Sequence, residues 1–205
     1  MLRLTIIVAA TKSNGIGQNA GLPWRLPREM KYFAQVTTAG PEGTTNAVLM
    51  GRNTWESIPE KHRPLSGRVN LVTSRNADYV LQSSNDTPSY LHNDLASALG
   101  RLNSSTQSYH KAFIIGGASL YSEALALKPS SSAAVDRILL TRILTDFNDC
   151  DVFMPDFLRE GEERGLPWTQ SSHRELEEWV GFKVPEGVQE EKGVQYEFQM
   201  WTRPL

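Results

Sequence analysis

Five stretches of this chain are nearly continuous in apolar residues over the length of one strand. They are LTIIVAAT at 4–11, NAVLMG at 46–51, RVNLVTS at 68–74, KAFIIGG at 111–117 and DRILLTRI at 136–143. A strand that is apolar on both faces has to be covered on both faces, which suits the interior of a sheet flanked by helices. Helical periodicity fills the intervals, at 27–38, 52–58, 93–102 and 119–127. The alternation predicts an α/β fold: a doubly wound, mostly parallel central sheet with helices on both faces. The tail differs. WTQSSH at 168–173 and VQYEFQMWTR at 194–203 alternate polar and apolar, with Tyr196, Phe198 and Met200 on one side. That pattern predicts an antiparallel C-terminal edge hairpin, joined by a long loop around KVPEGVQEEKG.

The polar segments TTAGPEGTTN, SSNDTPS, NSSTQS and LKPSSSAA each return quickly to a core strand. They read as surface loops rather than linkers, and residues 1–205 are expected to form a single domain. A length of 205 residues, 40% hydrophobic and 21% charged, describes a globular protein with a sizeable core. Net charge of −2 without a basic block argues against nucleic acid or an anionic membrane as the main partner. Cys150 is the only cysteine, so no internal disulfide is available, which fits a reducing compartment. The first apolar run is too short to span a membrane and lacks a clear cleavage site, so a cytoplasmic protein is expected. His62, His92, His110 and His173 show no ligand spacing, and no metal site is proposed.

One helix carries an oddity. In LPWRLPREMKYFAQV, at about 100° per residue, Glu29 falls among Tyr32, Phe33 and Val36, while Arg28, Lys31 and Gln35 gather opposite. A first-turn glutamate ordinarily complements the helix dipole in water. On an apolar face it is costly unless a partner is supplied. Glycine-rich text adds further candidates. GIGQNAG at 15–21 has neither the spacing nor the following helix of a dinucleotide fingerprint, and by itself reads more readily as a flexible surface loop. FIIGGASLY runs from a strand through Gly116-Gly117 into a helix, either an anion-binding turn or a plain tight turn. Arg52, Ser74 and Arg75 stand at the carboxyl ends of strands, where ligands bind in open α/β sheets, and an extra ribose phosphate suits such a cluster.

IVAATKSNGIGQNAGLPWRLPREMKYFAQVT, VLMGRNTWESIPEKHRPLSGRVNLVTSR and FIIGGASLY together resemble dihydrofolate reductase in order and spacing. The resemblance continues through LLTRI, DVFMP and EEKGVQYEFQMW, and the stretch EEWVGFKVP suggests a eukaryotic, fungal-like member. It implies NADPH-dependent reduction of dihydrofolate by a cytoplasmic monomer that also binds antifolate inhibitors, with no fused thymidylate synthase domain. Glu29, supported by Thr141, would accept paired hydrogen bonds from the pteridine, and Leu22, Trp24 and Tyr121 complete the reacting end. Ile7, Val8, Ala9 and Ile115 would border the ring. Leu22, Met30, Phe33, Ile58, Pro59 and Leu65 would form apolar walls, and Arg68 would clamp the α-carboxylate of the glutamate tail. For the cofactor, the resemblance gives Ala9 with Gly15, Ile16, Gly17, Gln18, Asn19, Ala20 and Gly21 to the nicotinamide end. It gives Arg52, Asn53 and Thr54 to the phosphates, and Ser74, Arg75 and Asn76 to the adenosine side. The turn of Gly116, Gly117, Ala118, Ser119, Leu120, Tyr121, Ser122 and Glu123 takes the pyrophosphate, with a cis peptide between the glycines. Asn53 and Asn93 stand where relatives often carry basic residues, so preference for NADPH rests mainly on Arg52 and Arg75. Two other readings compete: a riboflavin-pathway reductase of the same fold, and a catalytically silent folate- or nucleotide-binding module.

Overall fold

The structure is a computed structural model that describes residues 1–82, 86–104, 109–128 and 132–205. The segments SSNDTPS, NSSTQS and LKPSSSAA lie partly outside the described residues. In chain order the elements are β1 (Leu2–Thr11), β2 (Gly15–Gly17), α1 (Pro27–Thr38), β3 (Thr45–Gly51), α2 (Arg52–Ser57), β4 (Arg68–Thr73) and β5 (Ser89–His92). There follow α3 (Leu95–Ser104), β6 (Tyr109–Ile114), α4 (Ala118–Leu125), β7 (Ala133–Ile143), β8 (Val152–Phe153) and α5 (Phe157–Glu163). The chain closes with β9 (Thr169–Gln170), α6 (His173–Val180), β10 (Gln189–Glu191) and β11 (Val194–Thr202). The fold is α/β, with a mixed, mostly parallel sheet and an antiparallel C-terminal edge, as the alternation of elements predicts.

The chain divides into two compact units, the division falling inside β1, α1 and β7. Residues 1–5 and 37–135 form the first. Its strands run parallel in the order β6-β3-β4-β5. From β3 the chain winds one way to β4 and β5, and β6 lies on the other side of β3. Strand order therefore reverses between β3 and β6, and the crevice beyond their carboxyl ends is where open α/β sheets bind ligands. Val48, Leu49, Phe113, Ile114, Leu71 and Val72 are fully buried, as strands apolar on both faces require. The strand expected at 111–117 ends at Ile114, because Gly116 and Gly117 leave the ladder to start α4.

Residues 6–36 and 136–205 form the second unit. Here β11 pairs antiparallel with β7 along one edge and with β10 and β9 along the other. Trp24, Leu26, Ile143 and Tyr196 make a buried cluster that Ala9, Phe147, Val194 and Phe198 extend. Helix α1 starts beside it, with Pro27 in the first helical position and the Leu26 carbonyl accepting from Met30 N–H at 2.9 Å.

The tail corrects one expectation. WTQSSH contributes only Thr169–Gln170 to the sheet, and no plain loop joins it to β11. Ser172 and Glu175 form a reciprocal capping box that opens α6, Gly181 closes that helix in a left-handed conformation, and β10 follows. Leu176 and Val180 supply the buried face. Among the described residues no helix is long and apolar enough to cross a membrane.

Replacing Ser172 by alanine removes an acceptor for the Glu175 N–H. It should lower stability by about 1 kcal/mol in urea unfolding without changing the slope against denaturant.

Candidate active site

The sequence-selected residues fall into two sets, one in each unit. The second unit holds Glu29, on the first turn of α1 and 7% exposed. Tyr32 and Val36 are buried on the same face and Phe33 half-buried, whereas Arg28, Lys31 and Gln35 are exposed, as the periodicity predicts. Thr141, at 2% exposure, donates its Oγ1 hydrogen to Glu29 Oε1 at 2.9 Å. Burial pushes the Glu29 carboxyl from an ordinary 4.5 up to about 7, the Thr141 hydrogen bond opposing and the charge of Glu191 adding to the rise. Among the described residues no cation pairs with it.

Of the apolar candidates in this unit, Leu22 is 52% and Met30 47% exposed. Ile7, Val8 and Trp24 are buried and Ala9 half-buried.

GIGQNAG proves to be ordered. Gly15 and Gly17 pair with Phe153 and Val152, and Gln18 and Gly21 exchange backbone hydrogen bonds at 2.9 and 3.0 Å across a tight turn. Asn19 and Ala20 occupy that turn at φ 49° and 59°, and Asn19 N–H donates to Asp151 Oδ2 at 2.9 Å. Gly15 admits no side chain, since a Cβ there would sit 2.6 Å from Cys150 Sγ.

The first unit holds the other set. Arg68 is 6% exposed; its Nε donates to the Ser66 carbonyl at 2.9 Å and its Nη1 to Thr37 Oγ1 at 2.7 Å. Burial lowers its pKa to about 10, which leaves it charged at neutral pH. No described carboxylate neutralises it. Asn70 shapes the loop before it, bonding both the N–H and the carbonyl of Leu65 and the Arg68 carbonyl, each at 3.0 Å. Ile58 and Leu65 are half-buried and Pro59 exposed.

At the reversal of strand order, Gly51 N–H donates to the Gly116 carbonyl at 2.8 Å. The Gly116-Gly117 peptide is cis, as the resemblance implies, and Gly116 sits at φ 117°. Ile115 is half-buried beside it. A Cβ on Gly116 would lie 3.2 Å from the Tyr121 hydroxyl and 3.3 Å from Thr54 Oγ1, so the backbone is pressed against both side chains. Gly117 caps α4 with no side chain on the first-turn N–H groups, leaving them for an anion. Leu120 and Tyr121 are buried, Ala118 is half-buried, and Ser119, Ser122 and Glu123 are exposed. Arg52 lies 3.8 Å from Glu56 and 5.8 Å from the Tyr79 ring, and Asn53 is exposed. Ser74 is buried and accepts from Asn76 N–H at 3.1 Å, while Arg75 and Asn76 are exposed.

Sequence reading passed over Thr37 and Asn70, which hold Arg68 and its loop. The signal was present: an asparagine inside the apolar run RVNLV is costly unless its amide is used.

A protein-family model described as dihydrofolate reductase matches residues 3–178. The chain belongs to the dihydrofolate reductase family. It is 45% identical to the dihydrofolate reductase of Cryptococcus neoformans over 97% of this chain and 94% of that one. To the Pneumocystis carinii enzyme it is 42% identical, covering 98% and 97%. Both relatives are fungal dihydrofolate reductases, in keeping with the reading of the motifs. The solved structure of Schistosoma mansoni dihydrofolate reductase superimposes with a TM-score of 0.75 at 33% identity, covering 99% of each chain.

Because the folded-state value of Glu29 lies above the unfolded one, the unfolded chain releases this proton first as pH rises. The group therefore costs stability progressively between about pH 4.5 and 7. The ligand-free Glu29→Gln variant should gain on the parent through that window by up to about 3 kcal/mol, and by nothing further outside it. Denaturant melts at pH 4 and pH 8 give the comparison.

Proposed function

We propose that residues 1–205 act as one dihydrofolate reductase-like domain reducing 7,8-dihydrofolate to 5,6,7,8-tetrahydrofolate with NADPH, in support of one-carbon metabolism. One observation carries the reading: among the described residues, a buried acid has no cation and a buried arginine no carboxylate. Dihydrofolate holds the complement of both. Its pteridine presents an amino group and a ring N–H side by side to Glu29, and its glutamate tail presents an α-carboxylate to the Arg68 fork. Membership of the family supports the same assignment.

NADPH, when bound, supplies the hydride. The open N–H groups at the start of α4 fit its pyrophosphate, and Arg52, Asn53 and Thr54 its phosphates. Ser74, Arg75 and Asn76 take the adenosine side, and Ala9 with loop 15–21 the nicotinamide end. The protein's part is alignment and exclusion of bulk water. Glu29 orients the ring through two accepted hydrogen bonds, Thr141 holds the carboxyl for that purpose, and Leu22, Met30 and Phe33 give the ring an apolar wall. With a proton affinity near neutrality, Glu29 also assists delivery of the proton to the ring nitrogen through water. Flat antifolate heterocycles with the same donor pair bind the same acid. The enzyme works as a cytoplasmic monomer.

A riboflavin-pathway reductase has no use for Glu29 and Arg68 together, and a silent binding module has none for Leu22, Trp24 and Tyr121 besides. Consumption of NADPH on mixing with dihydrofolate separates the readings, because only the reductase gives a falling cofactor absorbance. Glu29→Gln should keep the fold and the NADPH affinity while turnover drops by about a hundredfold or more. Normal turnover in that variant sinks the assignment. Arg68→Leu should raise the dihydrofolate KM by about tenfold or more, the loss of one charge-assisted contact, with the NADPH KM unmoved.

A further inference from the structure

The tail motif EEKG is left without a role by everything above. It forms the turn between β10 and β11, where Lys192 and Gly193 take φ 52° and 77°. Its second glutamate does not face solvent: the Glu191 side chain is 9% exposed. Both its oxygens accept the Arg28 N–H, each at 3.1 Å, and the Arg28 Nε stands 3.9 Å away. Arg28 Nη2 bonds the Glu190 carbonyl. Tyr196 of β11 is buried nearby, and the charge of Glu191 helps to raise the pKa of its hydroxyl. Because Pro27 has no N–H, that of Arg28 is the first donor α1 offers, and a carboxylate from far along the chain receives it. The next residue is Glu29.

We propose that Glu191 is a positioning residue for the buried acid, fixing the first turn of α1 and presenting a second negative charge to Glu29. The proposal rests on the role given to Glu29 above. Two carboxyl groups at one helix start disfavour the ionised form of whichever has fewer donors, and Glu29 has Thr141 where Glu191 has the Arg28 N–H and guanidinium. The groups facing it have opposite effects: Thr141 on β7 favours its charged form and Glu191 on β10 opposes it. Glu191 itself meets Arg28 from α1 and Tyr196 from β11. Burial is the main reason Glu29 keeps its proton at a pH where a glutamate in water has lost it, and the hairpin turn adds to that effect through Glu191.

Glu191→Gln keeps the size and an acceptor for Arg28 N–H and removes only the charge. The Glu29 carboxyl, followed by carbon NMR against pH in the ligand-free protein, should titrate at a lower midpoint in this variant, by about half a unit or more. An unchanged midpoint overturns the proposal. In single turnovers with dihydrofolate and NADPH, the fall of the hydride-transfer rate with rising pH should move to lower pH by the same amount. A rate profile that stays put while the carboxyl midpoint moves overturns the link to the reaction. If the parent chain consumes no NADPH, the assignment of function fails and the carboxyl titration alone decides the contact. Should Glu191→Gln fail to fold, Glu191→Ala, where water reaches the Arg28 N–H, carries the same two measurements.

Discussion

The hydrogen bond between Thr141 and Glu29 is the contact around which the second unit is arranged. A carboxyl group withdrawn from water is expensive, and one neutral hydroxyl offsets only part of the cost. The remainder appears as a proton held to about pH 7. Everything near the acid keeps it there: the Trp24 and Tyr196 cluster seats the start of α1, and β7 brings Thr141 into register opposite Phe198 of β11. Stability is given up at this position, and under the proposed function the return is an acceptor already aimed at a ligand's donors.

The first unit solves a matching problem with backbone. Gly51 and Gly116 meet across the point where strand order reverses, and a Cβ on Gly116 would crowd Tyr121 and Thr54 at a φ of 117° that side chains rarely adopt. The amides that open α4 are left without a side-chain cap. Arg68 is the counterpart of Glu29, a buried charge whose neighbours orient it and do not neutralise it.

Much of this was legible because burial leaves a periodic record in sequence. Strands β3, β4 and β6 are apolar on both faces and so announce themselves, and α1 declares its buried face through Tyr32 and Val36, which makes Glu29 conspicuous. The short elements escaped. β8 and β10 are two or three residues long, too brief for any period, β9 is shorter than its alternating text, and α6 was hidden because its capping box resembles ordinary polar text. Supporting contacts such as Asn70 to Leu65 and Glu191 to Arg28 were also out of reach. They join residues through the tertiary fold, and an amide or carboxylate in the sequence does not say whose N–H it will take. The order within GIGQNAG was equally invisible, since glycine permits both a loose loop and a tight hairpin.

Leu22 and Met30 are each about half exposed, and the proposed function places a planar heterocycle against them. A planar heterocycle laid against them acts as a removable piece of the interior, taking apolar surface out of solvent as a folding side chain does. Its binding should therefore carry a negative heat-capacity change, and melting temperature should climb with its concentration. Under the proposed function, calorimetry on the ligand-free chain reads a fold that its small molecule completes.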